Sequence, residues 1–203
     1  MLEQVLLGVG IILDIILYLM FFITYINNNN QKYSKTAQET VIDLLKENPN
    51  INVIKNNSQF FSKYNIKRKI VKLSNNTYDS SSYFSNAVAS LLSGYELTKN
   101  KALSYLSYVF NELKVISLMP VIVITLSILV NNAMDAKIYT FFLAIILIYQ
   151  YIMNNVTIEA IQKVDCHDNK LNSILNTFNK CSTLAFIITL TQILRMFVII
   201  MNI

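Results

Sequence analysis

The sequence predicts a mainly α membrane protein: four transmembrane helices, with a small α+β insertion between the first and the second. Three observations carry that expectation. Hydrophobic residues fill 54% of the 203 positions and charged residues only 14%, a balance well outside the soluble average. Only three Gly and two Pro interrupt the chain. Four apolar runs, Val5 to Ile26, Val115 to Val130, Ile138 to Met153 and Thr183 to Ile203, are separated by polar stretches. A helix needs about 20 such residues to cross roughly 30 Å of hydrocarbon.

The first run is broken only by Asp14 and Thr24 and is preceded by Met-Leu-Glu-Gln. With no basic flank and no small-residue cleavage site, it reads as a retained anchor and not a removed signal peptide. Asn27 to Asn30 close it. Thr36 to Asn48 then sets Ala37, Val41, Leu44 and Leu45 on one face behind a Ser/Thr cap, the pattern of an amphipathic helix. Ile51 to Ile54 and Lys69 to Leu73 are rich in β-branched residues and predict a small strand pair. Ser80 to Ser82 offer a cap to a second helix, whose apolar face is Phe84, Ala87, Val88, Leu91, Leu92 and Tyr95. Leu103, Leu106, Val109, Phe110 and Leu113 extend the helical spacing toward the membrane. Asn131 to Lys137 is a tight turn between antiparallel spans, the first of which contains Pro120.

Charge supplies the topology. Between Asn27 and Lys114 there are 12 Lys/Arg and 6 Asp/Glu, whereas the other side carries Glu3, Asp135 and Lys137. Lysines 32, 35, 99, 101 and 114 lie close to membrane ends, so the positive-inside rule puts this region in the cytoplasm and both termini outside. The domains are then an anchor (1–26), a cytoplasmic region (27–114) and a three-helix membrane region (115–203) with a polar cytoplasmic segment (155–180). The formal charge of +5 is explained by that topology, and no nucleic-acid motif accompanies it. Two Cys make no disulfide framework, and one His excludes any multi-histidine site within the chain.

The stretch around the second soluble helix carries a resemblance. Leu73, Ser74, Tyr78, Ser82, Ala87, Val88, Ala89 and Gly94 fall without a gap in a frame similar to that of the YugP-like neutral zinc metallopeptidases, where Leu-Ser-x-x-x-Tyr leads into Ala-Val-Ala-x and His-Glu-x-Gly-His. The resemblance extends to the anchor, Tyr33 to Lys35, Pro120, Glu159 and the final span. It implies a zincin-like insertion. Zinc chemistry needs two imidazoles four residues apart and a carboxylate base beside the first; here those slots hold Leu91, Leu92 and Tyr95, and the slot of a further His is Lys99. The expectation is therefore a degenerate member with no cofactor.

Glu159, in Val-Thr-Ile-Glu, resembles the family's third zinc ligand, although one carboxylate without two imidazole partners cannot hold catalytic zinc. Asp165, Cys166, His167 and Asp168 are the only other cluster of ligand types, at a spacing that splays around a helix. Asp14 and Arg195 are the two formal charges within spans. Measured from the span ends at Val5 and Ile203, they lie roughly 14 Å and 12 Å deep, which suggests an intramembrane ion pair.

The functional expectation is a membrane-embedded pseudo-peptidase serving as a regulatory or partner-binding subunit. Its partners would be the lipid bilayer and another membrane protein or active homologue. Two alternatives stand beside it: a metal-dependent membrane peptidase with ligands rebuilt from Glu159, Asp165 and His167 around zinc, and a multi-pass membrane subunit unrelated to peptidases.

Overall fold

The computed structural model describes residues 1–47, 50–59, 62–65, 68–98, 119–130, 132–164 and 168–201. The chain is a mainly α, multi-pass membrane protein with one small sheet. Its helices are α1 (Leu2–Asn29), α2 (Ala37–Leu44), α3 (Asn75–Tyr78), α4 (Tyr83–Leu97), α5 (Met119–Leu129), α6 (Ala133–Lys163) and α7 (Asn169–Met201). Helices α1, α6 and α7 are long and apolar enough to cross a membrane, whereas α5, at 11 residues, covers about half of the hydrocarbon. The expected span from Val115 is thus described only from Met119 onward. Lys99 and the helical spacing from Leu103 to Leu113 lie outside the described residues.

Helices α1 and α7 run antiparallel. An added Cβ on Gly10 would meet the Gln192 amide, and further along Phe21 packs on Phe178 with centroids 6.3 Å apart. Helix α6 pairs with α7 through a core of Leu143, Met196, Tyr139 and Ile193, and Thr183 Oγ1 donates to Asn154 Oδ1 at 3.1 Å. The outward faces carry Ile12, Phe22, Phe141, Phe142 and Phe197, all exposed, as a lipid-facing surface requires. The polar segment expected at 155–180 is helix over most of its described residues. Lys163 ends α6, and the Asp168 carboxylate accepts from the amides of Lys170 and Leu171 at 2.8 and 3.0 Å to cap α7.

The described residues between α1 and α5 form one further core. Thr36 and Glu39 make a reciprocal capping box on α2. Strands β1 (Asn52–Lys55), β2 (Lys63–Asn65) and β3 (Ile70–Leu73) form a sheet in the order β1-β3-β2. β1 lies parallel to β3, with Asn52 opposite Ile70, and β2 is antiparallel to β3. The expected strand pair therefore gains a third member, which its polar sequence concealed. Ala37, Val41, Tyr64, Val71, Leu73, Ala89 and Leu92 bury the inner faces together.

Helix α4 joins this core to the spans. Ser82 Oγ accepts from the Ser85 amide at 3.1 Å, as its cap position predicts. Asn86, fully buried, donates to the carbonyls of Lys35 and Ser82 and accepts from Thr40 Oγ1 at 2.5 Å. On the membrane side, Phe84 packs edge-on against Phe21, Tyr25 and Phe178 with centroids 5.1 to 5.7 Å apart.

Candidate functional site

Three residues of α4 define the site. Leu91, Leu92 and Tyr95 recur at positions i, i+1 and i+4, which sets the first and third on one face. All three border one partly open cavity of about 450 Å³. Most of its other lining comes from the three long apolar helices: Leu17, Tyr18 and Phe21 of α1, Tyr149, Gln150 and Met153 of α6, and Phe178, Cys181 and Ala185 of α7. Leu92 also reaches into the core beneath the sheet, while Leu91 packs toward Leu171 and Leu175 of α7.

Gly94 fixes how closely this wall approaches α6. A Cβ at that position would lie 2.8 Å from the Ala160 carbonyl carbon and 3.0 Å from its Cβ, so only a residue without a side chain allows the two backbones to meet. The approach brings Tyr95 Oη to 3.2 Å from Thr157 Oγ1. Burial pushes the Tyr95 phenol above its ordinary range, partly offset by that hydrogen bond. A buried neutral hydroxyl with a hydroxyl partner orients a ring; it does not serve as a base near neutrality.

The donor set does not fit zinc. Two leucines and a buried tyrosine supply no imidazole and no carboxylate. Glu159 is not in the cavity wall. Two residues turn a helix by roughly 200°, so Glu159 lies on the far side of α6 from Thr157. Thr157, which sequence reasoning passed over, is the α6 residue that meets the motif positions. Asp165 and His167 lie outside the described residues, and Asp168 is engaged as the cap of α7 and as acceptor to the Tyr83 hydroxyl at 3.2 Å. Among the described residues no three His, Cys, Asp or Glu side chains gather closely enough for a metal ion.

The expected pair of Asp14 and Arg195 is not formed. Arg195 Nη1 donates to the carbonyl oxygen of Ser127 and, at 2.8 Å, to its hydroxyl, and Ser127 Oγ donates to Gln192 Oε1 at 2.7 Å. Asp14 Oδ1 is buried with no hydrogen-bond partner among the described residues. Register explains the difference. With Gly10 opposite Gln192, Asp14 lies four residues to one side and Arg195 three to the other, so their levels are about 10 Å apart. Depths counted from Val5 and Ile203 miss this offset, because the helices run from Leu2 and to Met201. Ser127 and Gln192 are the polar residues that make an arginine tolerable there.

Compared with known proteins, the sequence matches no family model, no curated protein and no solved structure.

Proposed function

We propose that this chain is a membrane-embedded pseudo-peptidase, a degenerate relative of the YugP-like neutral zinc metallopeptidases, that works as a regulatory or partner-binding membrane subunit. The observation that carries the reading is the convergence of Leu91, Leu92 and Tyr95 on one cavity, where Gly94 holds α4 against α6 at Thr157 and Ala160. A peptidase site needs those positions grouped in that way around one reacting centre. Their side chains now supply packing in place of ligands. The partner is another membrane protein or an active homologue.

In this proposal the segment from Val115 and α5 form the fourth span, the insertion between α1 and α5 is cytoplasmic, and both termini face outward. Support for that orientation comes from the lysine-rich flanks of the insertion. Leu2, Ala133 and Met201 share one end of the bundle, as expected if α1, α6 and α7 cross together.

The test is chelator-sensitive proteolysis by the purified full chain in detergent and in vesicles, using casein as substrate, with zinc content measured on the same sample. No chelator-sensitive cleavage and no stoichiometric zinc are expected. Cleavage abolished by chelator and by Glu159→Gln would overturn the proposal in favour of a peptidase with rebuilt ligands.

A further inference from the structure

The cavity beside α4 has walls that a soluble protein's pocket would not have. Its volume of about 450 Å³ falls within the roughly 300 to 1,000 Å³ typical of small-molecule sites. Most of its lining belongs to the three membrane-spanning helices. Leu17 to Phe21 lie 15 to 19 residues from the start of α1, Tyr149 to Thr157 lie 16 to 24 from the start of α6, and Phe178 to Ala185 lie 16 to 23 from the end of α7. At 1.5 Å per residue all three stretches stand about 20 to 35 Å from the same end of the bundle. That is the level at which a hydrocarbon layer roughly 30 Å thick gives way to headgroups. Tyr18 and Tyr149 in the wall are the residue type that favours this level.

Chemistry narrows the occupant. The wall is overwhelmingly apolar, and no charged side chain is among its described lining residues. One lining amide stands out: Gln150 is only 7% exposed, and its carbonyl oxygen has no hydrogen-bond partner among the described residues. A buried acceptor without a donor is an unfavourable state that a hydroxyl in the cavity relieves once the amide turns toward it.

We propose that the cavity is a lipid site: it takes one acyl chain from the adjoining leaflet, from a lipid with a free hydroxyl near the chain, which donates to Gln150. The chain lies along Leu91, Met153, Phe178 and Ala185, and the hydroxyl stands at the amide. This assignment depends on the cavity's walls and depth, and not on descent of α4 from a peptidase helix.

The probes are two photoreactive molecules carrying the same diazirine-bearing chain, a monoacylglycerol and the corresponding alkane, applied to the full chain in phosphatidylcholine vesicles. The expected result is monoacylglycerol labelling concentrated in 91–95 and 178–185 and competed by unlabelled monoacylglycerol. That labelling should fall roughly tenfold when the cavity is filled from either wall, by Leu91→Trp on α4 or Cys181→Phe on α7. Gln150→Leu should lower labelling by the monoacylglycerol to that of the alkane, with the Tm unchanged or raised. Uncompeted labelling of wild-type protein spread over lipid-facing residues such as Ile12, Phe22 and Phe141 would overturn the site, whatever the filled variants do. Equal labelling by the two probes in wild-type protein would overturn the role of Gln150.

Discussion

Gly94→Ala separates the packing of the motif helix from its helical propensity. In a free helix the change is favourable by about 0.8 to 1.0 kcal/mol. In this protein the new Cβ would lie 2.8 Å from a backbone carbon of Ala160, against an ordinary contact of 3.4 Å or more, and that backbone is held within α6. The helices must part by at least half an ångström. Overpacking of this kind costs about 1 to 3 kcal/mol, and losing the hydrogen bond between Tyr95 and Thr157 adds about 1 kcal/mol. After subtraction of the propensity gain, the net loss is about 1 to 3 kcal/mol, or about 3 to 10 °C in Tm for a chain of this size.

A thiol-reactive dye reporting Cys181, which is half-buried beside the cavity, follows unfolding in a Cys166→Ser background. Gly8→Ala is the control, because a Cβ there meets nothing within 4 Å; it should leave Tm unchanged or raise it slightly. If both substitutions raised Tm equally, the close approach of α4 to α6 would be wrong.

Four further outcomes follow from the same structure. Tyr95→Phe and Thr157→Val should each cost about 0.5 to 1.5 kcal/mol, with a coupling energy in the double variant that two independent sites would lack. Because the folded Tyr95 phenol titrates above its ordinary value of 10.0, its contribution to stability is present below pH 10 and lost as pH rises further; Tyr95→Phe should therefore flatten the alkaline fall in Tm. Thr36→Ala should cost about 1 kcal/mol in thermal unfolding through loss of the capping box, whereas Ser34→Ala should not. Asp14→Asn and Arg195→Gln should have additive effects on Tm, and cysteines placed at 14 and 195 should fail to crosslink with a short reagent; coupling above about 0.5 kcal/mol would restore the ion pair.

Much of this arrangement can be read from local sequence. Thr36 with Glu39, and Ser82 ahead of Tyr83, announce two helix starts because capping is a contact between near neighbours. The apolar runs announce the spans for the same reason. Strand β2 escapes notice because Lys63, Tyr64 and Asn65 form a strand only through pairing with β3. The partner of Arg195 escapes because it depends on the register between helices, and a shift of a few residues at the span ends moves a charge by a full turn or more. The signal that could have found it is Gly10, a small residue in a long apolar helix that lets Gln192 come close. Likewise, four-residue spacing identifies Leu91 and Tyr95 as one face, but only the packing of α4 on α6 shows that position 157, and not 159, confronts it.

That last point gives the most direct test of a peptidase frame stripped of its ligands. Zinc content is to be measured on the purified full chain and on three variants: Leu91→His with Tyr95→His, the same pair with Thr157→Glu, and the same pair with Glu159→Gln. If α4 and α6 keep the geometry of a metal site, the variant carrying Thr157→Glu should hold close to one zinc per chain, bound through two imidazoles and one carboxylate. The unaltered protein should hold none, and Glu159→Gln should change nothing. One zinc in the unaltered protein, or no zinc in a folded variant carrying both restored imidazoles and the introduced carboxylate, would contradict it.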